Sequence, residues 1–183
     1  MILAADVGGS KTLVGRFADT RPRPALLDVR ELRTLDYPGL PALLDAAFGA
    51  RDPQVTRVSL GIAGPIVDGE VTMTNVPWRV RHDEMVEATG VTRLRLLNDL
   101  EAMAWAVPVL TADELHTLQA GVPHPGGNAA LIAAGTGLGE AILHRVGERL
   151  LPVPSEAGHA DFAARTDEEL ALAILRAGDV EGA

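Results

Sequence analysis

A glycine turn between two short apolar runs, near the start of the chain, is the feature that most limits how this sequence can fold. Residues 2–5 are apolar, Gly8 and Gly9 follow, and residues 12–17 form a second run that favours strand. This pattern predicts a β-hairpin. A third run over residues 26–35 alternates loosely, so we expect the first three strands to form an antiparallel meander.

Helical and strand-forming segments alternate after the meander. The spacing of apolar residues predicts helices over residues 41–50, 82–89 and 100–107, a helical turn over 113–119, and strands over 57–62 and 94–97. The segment 100–107 is apolar on most faces, so we expect a buried helix there. The mixture of elements indicates an α/β protein.

A linker divides the sequence. Residues 121–128, GVPHPGGN, contain two prolines and three glycines, a composition typical of a connecting segment. We therefore treat residues 1–120 and 129–183 as separate parts. In the second part we expect strands over 129–134 and 140–146, and a helix over 166–177 with Thr166 at its N-cap.

Composition excludes several classes of protein. The 183 residues carry a formal charge of −9, which disfavours a general nucleic-acid binder because phosphate backbones are also negative. Cysteine is absent, and with it disulfides, Cys-ligated zinc and thiol nucleophiles. No apolar run approaches the roughly 20 residues that span a bilayer, and no basic leader is present. We expect a cytoplasmic protein without a membrane partner.

The first glycine turn has a polar setting that suits a phosphate. Asp6 precedes it, and Ser10 and Thr12 follow it with hydroxyl groups. Backbone N–H groups of such a turn can hold a phosphate, and Asp6 can hold Mg²⁺ directly or through water. Ser10 rather than glycine precedes Lys11, the single lysine of the chain, so this is not a Walker loop. A plain tight hairpin is the alternative interpretation.

A second glycine turn follows the linker, at Gly135, Gly137 and Gly139. Its spacing is one residue short of the dinucleotide-binding fingerprint and a strand-like segment follows, so a second phosphate-facing hairpin fits better than an NAD site. The segments ILAADVGGSKTLVGRF and LIAAGTGLGEAILHRV form a weak internal repeat. It indicates either a duplicated domain with two facing turns or chance similarity.

Two further pairs of polar residues are candidate site residues. Asn98 and Asp99 stand where a predicted strand meets a predicted helix, where α/β sheets bind ligands and an aspartate can accept a proton. A helix N-cap explains the same pair. Glu156 and His159 can hydrogen-bond a polyhydroxy ligand, or lie in a surface loop. The histidines lack zinc-ligand spacing, and no G-x-S-x-G elbow of a hydrolase occurs.

Taken together, the segments resemble the bacterial glucokinases of the sugar-kinase, actin and Hsp70 superfamily. The stretches that carry the resemblance are ADVGGSKT (5–12), GIAGPIVDGEVTMTNVPW (61–78), LLNDLEAMAWAVP (96–108), AAGTGLGEAIL (133–143), SEAGHADFA (155–163) and EELALAILRA (168–177). The resemblance implies an actin-like ATPase domain of ribonuclease H-like type over residues 1–120, with a mixed five-stranded sheet. It implies ATP-dependent phosphorylation of glucose to glucose 6-phosphate, with ATP and Mg²⁺.

The resemblance also assigns roles to single residues. Asp99 matches the catalytic base, and Asp6 matches a position near Mg²⁺, through water. The sugar ligands implied are Asn75, Asn98, Asp99, Glu156 and His159. The nucleotide-binding residues implied are Ala5, Asp6, Val7, Gly8, Gly9, Ser10, Lys11, Thr12, Gly135, Thr136 and Gly137.

The sequence departs from the family in one respect, and leaves alternatives open. The part after the linker, residues 129–183, is too short to complete a second domain of the same type, so we expect little kinase activity from these residues alone. A non-catalytic sugar or nucleotide sensor and a hexose kinase of the ROK type are the alternatives, although the Cys-rich zinc motif of ROK kinases is absent. A homodimer is compatible with the resemblance.

Overall fold

The computed structural model describes residues 1–49, 51–73, 76–122, 124–134, 138–155, 157–160 and 163–171. The helices are α1 (Leu40–Phe48), α2 (His82–Thr89) and α3 (Asp99–Ala106). The strands are β1 (Ile2–Val7), β2 (Lys11–Ala18), β3 (Ala25–Arg33), β4 (Arg57–Ile62), β5 (Ile66–Val67), β6 (Glu70–Thr72), β7 (Arg79–Arg81), β8 (Leu94–Asn98), β9 (Ala129–Ala134), β10 (Leu138–Val146) and β11 (Arg149–Ser155).

A mixed five-stranded sheet organises the first part of the chain, in the order β3-β2-β1-β4-β8. The first three strands form the expected antiparallel meander, and β1, β4 and β8 run parallel. The carboxyl ends of these parallel strands therefore meet at one edge of the sheet. This arrangement confirms the α/β class and the mixed five-stranded sheet.

Two smaller sheets flank the site described below. Strands β5, β6 and β7 form one, and β11, β10 and β9 form the other. The β5–β6 hairpin turns at Asp68 and Gly69, which both have positive φ, as the Asp-Gly pair predicts. Neither β7 nor β11, which covers seven residues, was predicted from the sequence.

One face of the five-stranded sheet forms an aliphatic core with α1 and α2. Successive residues of a strand point to opposite faces, and alternate residues of β1 and β4 are buried. The fully buried side chains of this core include Val7, Val14, Leu40, Leu43, Leu60, Ile62 and Met85. A smaller cluster of Ala104, Ala141 and Leu143 joins α3 to the sheet that contains β10.

The other face of the large sheet is covered only in part by α3. The helix lies so close to β4 that a Cβ on Gly61 would be 3.0 Å from the Cβ of Ala102. Beyond α3, an open groove of about 1060 Å³ has a floor that includes Ile2, Ala4 and Phe17.

Two helix predictions need correction. The helix expected to be buried is only partly so, because α3 contacts sheets on two sides and leaves Met103 50% and Trp105 39% exposed. The turn expected over 113–119 is confined to Ala112–Glu114, where Thr111 and Glu114 form a capping box.

In the last helix, Thr166 accepts a hydrogen bond from the N–H of Glu169, which confirms the N-cap. That helix is described over 167–171, and the rest of the prediction lies outside the described residues.

None of the helices described is both long enough and apolar enough to cross a membrane.

Candidate active site

The glycine turn between β1 and β2 is closed by one short backbone contact. The N–H of Gly8 donates to the carbonyl of Lys11 at 3.1 Å. A Cβ on Gly8 would lie 2.9 Å from the same carbonyl oxygen, which is too close for any other residue without a shift of the backbone. The turn therefore needs glycine at this position and follows directly from the carboxyl end of β1.

Strand register brings Asp6 to the start of α3. Asp6 lies opposite Gly61 in β4, and Gly61 lies opposite Leu97 in β8. Residues opposite each other in neighbouring strands point to the same face of a sheet. A Cβ on Gly61 would be 4.0 Å from the Cα of Asp99. Asp6 and Asp99 therefore lie on the same face, at the same edge.

The charges at this edge influence each other. Burial is the largest cause of a raised pKa at Asp6, the negative charge of Asp99 raises that pKa further, and the positive charge of Lys11 lowers it. Lys11 is itself paired with Glu31, with Nζ 3.1 Å from Oε2 and both side chains exposed. An exposed pair of this kind contributes little and exchanges readily. The ammonium group of Lys11 is thus available to an anion bound at the turn.

Asn98 caps α3 and hydrogen-bonds to the loop at Gly64. Its Oδ1 accepts from the N–H groups of Leu100 at 3.0 Å and Glu101 at 3.3 Å, which makes it the N-cap. Its Nδ2 donates to the carbonyl of Gly64 at 3.2 Å. An amide nitrogen carries two hydrogens, and among the described residues the second has no recorded partner, so it can bind a ligand. The two interpretations of Asn98, cap and ligand, are therefore compatible.

Asp99 has one oxygen engaged. Its Oδ1 accepts from the N–H of Leu100 at 2.9 Å, a contact that fixes the orientation of the carboxylate. Within the part of the chain that the structure describes, Oδ2 has no recorded hydrogen-bond partner. A carboxylate held by one oxygen and free at the other can accept a proton from a substrate hydroxyl.

A cavity of about 410 Å³ lies between β8, α3 and β11, beside the start of α3. Its lining residues are Pro65, Ile66, Leu96, Asn98, Glu101, Pro154 and Ser155. Glu101 was missed by the sequence analysis, although its spacing of three residues from Asn98 on a helix places both on one face. Ser155 directly precedes Glu156.

The strand that follows the second glycine turn begins beside α3. A Cβ on Gly139 would lie 2.9 Å from the side chain of Leu100. Gly158, in the short 3-10 turn Ala157–His159, packs against the carbonyl of Leu138. The start of β10 therefore approaches the start of α3, and the turn at Gly158 packs against the same end of β10.

Six predicted site residues are not described in full. Those outside the described residues are Asn75, Gly135, Thr136, Gly137 and Glu156, and the side chain of His159 is likewise not described. Their assignments stay predictions. Among the described ones, Ala5 and Val7 are buried in β1, with their side chains in the core. Thr12 is also fully buried, so its hydroxyl does not face a ligand as the sequence analysis expected.

The side chains at the turn suit Mg²⁺ better than a metal ion whose ligands all come from the protein. Among the residues described, no group of three or more His, Asp or Glu side chains could hold a metal ion. Mg²⁺ is commonly bound by one or two carboxylates, with phosphate oxygens and waters as the remaining ligands. The mutual repulsion of Asp6 and Asp99 would be relieved by a cation, so Asp6 fits this role.

Comparison with known proteins agrees with this fold. A protein-family model described as Glucokinase matches residues 3–178. The chain is 33% identical over 175 residues to a glucokinase of Nostoc punctiforme, covering 94% of this chain and 51% of that protein. It superposes on a glucokinase from an Antarctic psychrotroph with a TM-score of 0.76 and 29% identity, covering 97% of this chain and 56% of the other.

A second solved structure shares the fold at lower identity. The glucokinase of Balamuthia mandrillaris, in complex with glucose, has a TM-score of 0.71 and 22% identity, with 96% of this chain and 53% of that chain covered. The chain spans about half the length of the glucokinases that it matches. Because the family match extends over nearly all of its residues and the fold agrees, the chain belongs to the glucokinase family, with an actin-like ATPase fold.

Proposed function

We propose that this chain supplies the phosphate-binding turn and the general base for ATP-dependent phosphorylation of glucose. The observation that carries the proposal is the strand register that sets Asp99 on the same face and edge as Asp6, beside the Gly8–Gly9 turn. A nucleotide held at that turn and a sugar held at the start of α3 would be neighbours.

In the proposed reaction, Asp99 accepts the proton of the sugar 6-hydroxyl through its unengaged Oδ2. The hydroxyl oxygen forms a bond to the γ-phosphorus of ATP as the bond between that phosphorus and the β–γ bridging oxygen breaks. The products are glucose 6-phosphate and ADP, and the proton is released afterwards from Asp99. Positioning and neutralisation of charge supply most of the rate in such transfers.

The sugar is proposed to lie in the cavity that Asn98 and Glu101 line. The second N–H of the Asn98 amide donates to a sugar hydroxyl, and Glu101 accepts from another. Asn75, Glu156 and His159 remain proposed sugar ligands from the family resemblance. Ser155, the residue before Glu156, lines the same cavity, which supports this grouping.

The nucleotide phosphates are proposed to lie over the turn formed by residues 5–12, with residues 135–137 as a second contact. Lys11 and the backbone N–H groups of Gly9 and Ser10 supply positive charge and donors. Asp6 is proposed to hold Mg²⁺ through water, and Mg²⁺ would neutralise charge on the phosphates. In this arrangement residues 1–120 form one lobe and residues 129–183 belong to the other, joined at 121–128.

Other features of the proposal follow from composition and surface. We place the reaction in the cytoplasm, with glucose and ATP as partners and without a membrane. Nucleic acid is not a proposed partner, since the net charge is −9. A homodimer is proposed because exposed apolar side chains such as Leu26 and Leu27 lie on β3, an edge strand of the large sheet.

The test compares Asp99→Asn with Asp113→Asn in the intact protein, by ADP release and by glucose titration. Asp113 is an exposed acid in another turn, so the same change there is a matched control. We expect Asp99→Asn to lower kcat by at least about 100-fold, with a much smaller loss of glucose affinity. Turnover within about tenfold of the parent would refute the base assignment. Binding of both ligands by the parent without ADP release would indicate a sensor instead.

A further inference from the structure

We propose that Thr34, a buried residue outside the motifs that identify the family, is a positioning residue that orients the glycine turn toward the nucleotide phosphates. The inference rests on the nucleotide-binding role proposed above. Thr34 directly follows β3, and the pairing of Lys11 with Arg33 in the β2–β3 ladder brings it beside Ser10. Its side chain is fully buried beneath the turn.

Thr34 holds two carbonyl groups of the turn. Its Oγ1 donates to the carbonyl of Gly8 at 2.8 Å, and its backbone N–H donates to the carbonyl of Ser10 at 3.2 Å. A third carbonyl, that of Lys11, accepts from the N–H of Gly8. The carbonyl oxygens of residues 8, 10 and 11 are thereby engaged within the protein.

The same arrangement leaves two N–H groups of the turn without a partner among the described residues, whereas that of Gly8 is paired. In the described part of the chain, neither the N–H of Gly9 nor that of Ser10 has a recorded partner. Successive unpaired backbone N–H groups in a turn form an anion-binding concavity, whereas an outward carbonyl would repel a phosphate. Thr34 fixes the carbonyls of Gly8 and Ser10, the residues on either side of Gly9. It therefore determines which polar groups the turn exposes to a ligand.

Thr12 extends this support by one hydroxyl. The Oγ1 atoms of Thr12 and Thr34 are 2.9 Å apart, and both side chains are fully buried. A hydroxyl has one hydrogen to donate. Since the hydrogen of Thr34 goes to Gly8, the hydrogen of Thr12 goes to Thr34. The direction of donation therefore runs from Thr12 through Thr34 to the carbonyl of Gly8.

The chain offers a matched control at Thr89. This threonine is also buried, and its hydroxyl donates to the carbonyl of Met85 at 2.8 Å near the end of α2. Replacement by valine removes the hydroxyl at either site with little change of shape. Thr89→Val thus reproduces the loss of a buried hydrogen bond without touching the turn.

The experiment compares Thr34→Val, Thr34→Ser and Thr89→Val in the intact protein. The readouts are KM for MgATP, KM for glucose, and hydrogen exchange of the backbone amides of residues 8–11. We expect Thr34→Val to raise KM for MgATP by about tenfold or more and to speed exchange in the turn. KM for glucose should stay within about twofold, because the sugar cavity is separate from the turn. Thr34→Ser, which keeps the donor, should restore both properties, and Thr89→Val should change neither.

The outcomes separate this inference from the proposed function. If MgATP leaves the amide NMR signals of Gly9 and Ser10 in the parent protein unchanged, the nucleotide role of the turn fails, and the inference fails with it. If those signals respond but Thr34→Val keeps the parental KM, only the inference is overturned. Should Thr34→Val not fold, Thr12→Val removes the outer donor alone. A smaller rise in KM with faster turn exchange supports the inference, and no change in either overturns it.

Discussion

Replacing Gly61 with alanine should displace Asp99 without touching the active-site side chains. The new Cβ would lie 3.0 Å from the Cβ of Ala102, 3.6 Å from the carbonyl oxygen of Ala5, and 4.0 Å from the Cα of Asp99. Nonbonded carbon atoms prefer about 3.5–4.0 Å, so α3 must retreat by about 0.5–1 Å, or β4 must bend by as much. Asp99 is the first residue of α3 and moves with the helix.

The size of the effect follows from two opposing contributions. Overpacking costs about 1–3 kcal/mol, while alanine restricts the unfolded chain and returns about 0.4–1 kcal/mol. A net loss of about 1–2 kcal/mol lowers Tm by about 2–8 °C in a domain of this size. Misplacing a reacting group by about 1 Å costs on the order of 100-fold in rate. We therefore expect kcat to fall about 10- to 100-fold, with KM for MgATP nearly unchanged.

The assay pairs calorimetry with ADP release, and two variants serve as controls. Adding Ala102→Gly to Gly61→Ala removes the methyl group that the introduced side chain would contact. The double variant should recover kcat, although stability stays low because glycine in a helix costs about 1 kcal/mol. Gly121→Ala places a Cβ where no atom lies within 4 Å, and it should be neutral. An unchanged kcat in Gly61→Ala, or a loss that Ala102→Gly does not relieve, would refute the reasoning.

Two predictions concern protonation. Asp99→Asn should lower the pKa of Asp6 because it removes a negative charge, and Lys11→Met should raise that pKa because it removes a positive one. Carboxyl ¹³C NMR titration measures both changes. An Asp6 pKa that neither variant changes would contradict the placement of Asp6 and Asp99 at one edge of the sheet. Hydrogen bonds from Arg23 and Thr111 lower the pKa of exposed Glu114 from 4.5 to about 2. The interaction of Arg23 with Glu114 therefore stabilises the fold above pH 4.5, and this stabilisation is lost as the pH falls towards 2. Arg23→Gln should therefore reduce the free energy of unfolding in urea at pH 6 but not at pH 2, and an equal effect at both would contradict the assignment.

Local patterns in the sequence predicted the elements that surround the site. The hairpin at Gly8, the strand that ends at Asn98 and the α2 helix closed by Gly90 all depend on neighbouring residues, and the structure confirms them. Gly90 adopts a left-handed conformation at the end of α2, as a C-terminal glycine predicts. The spacing of apolar residues also predicted that Asn98 and Asp99 stand where a strand meets a helix, and β8 ends at Asn98 where α3 begins at Asp99.

What the sequence did not reveal depends on contacts between distant segments. The support of Gly8 by Thr34 requires the β2–β3 register, which no local pattern specifies. The hydroxyl of Thr12 suits a ligand by its position in the sequence, but the alternation of β2 places it in the core. The partial exposure of Met103 and Trp105 likewise follows from which sides of α3 are packed, and apolar spacing does not determine that.

The solitary lysine beside the glycine turn makes the protein unusually convenient for chemical labelling. Lys11 keeps 62% of its side chain exposed, and the other amine of the chain is the N-terminus. Within these 183 residues, an amine-reactive fluorophore applied at high pH would thus attach at two positions, and blocking the N-terminal amine first would leave one. If the turn binds a nucleotide as proposed, its occupancy would be measurable as protection of the Lys11 ε-amino group, without any mutation or added tag.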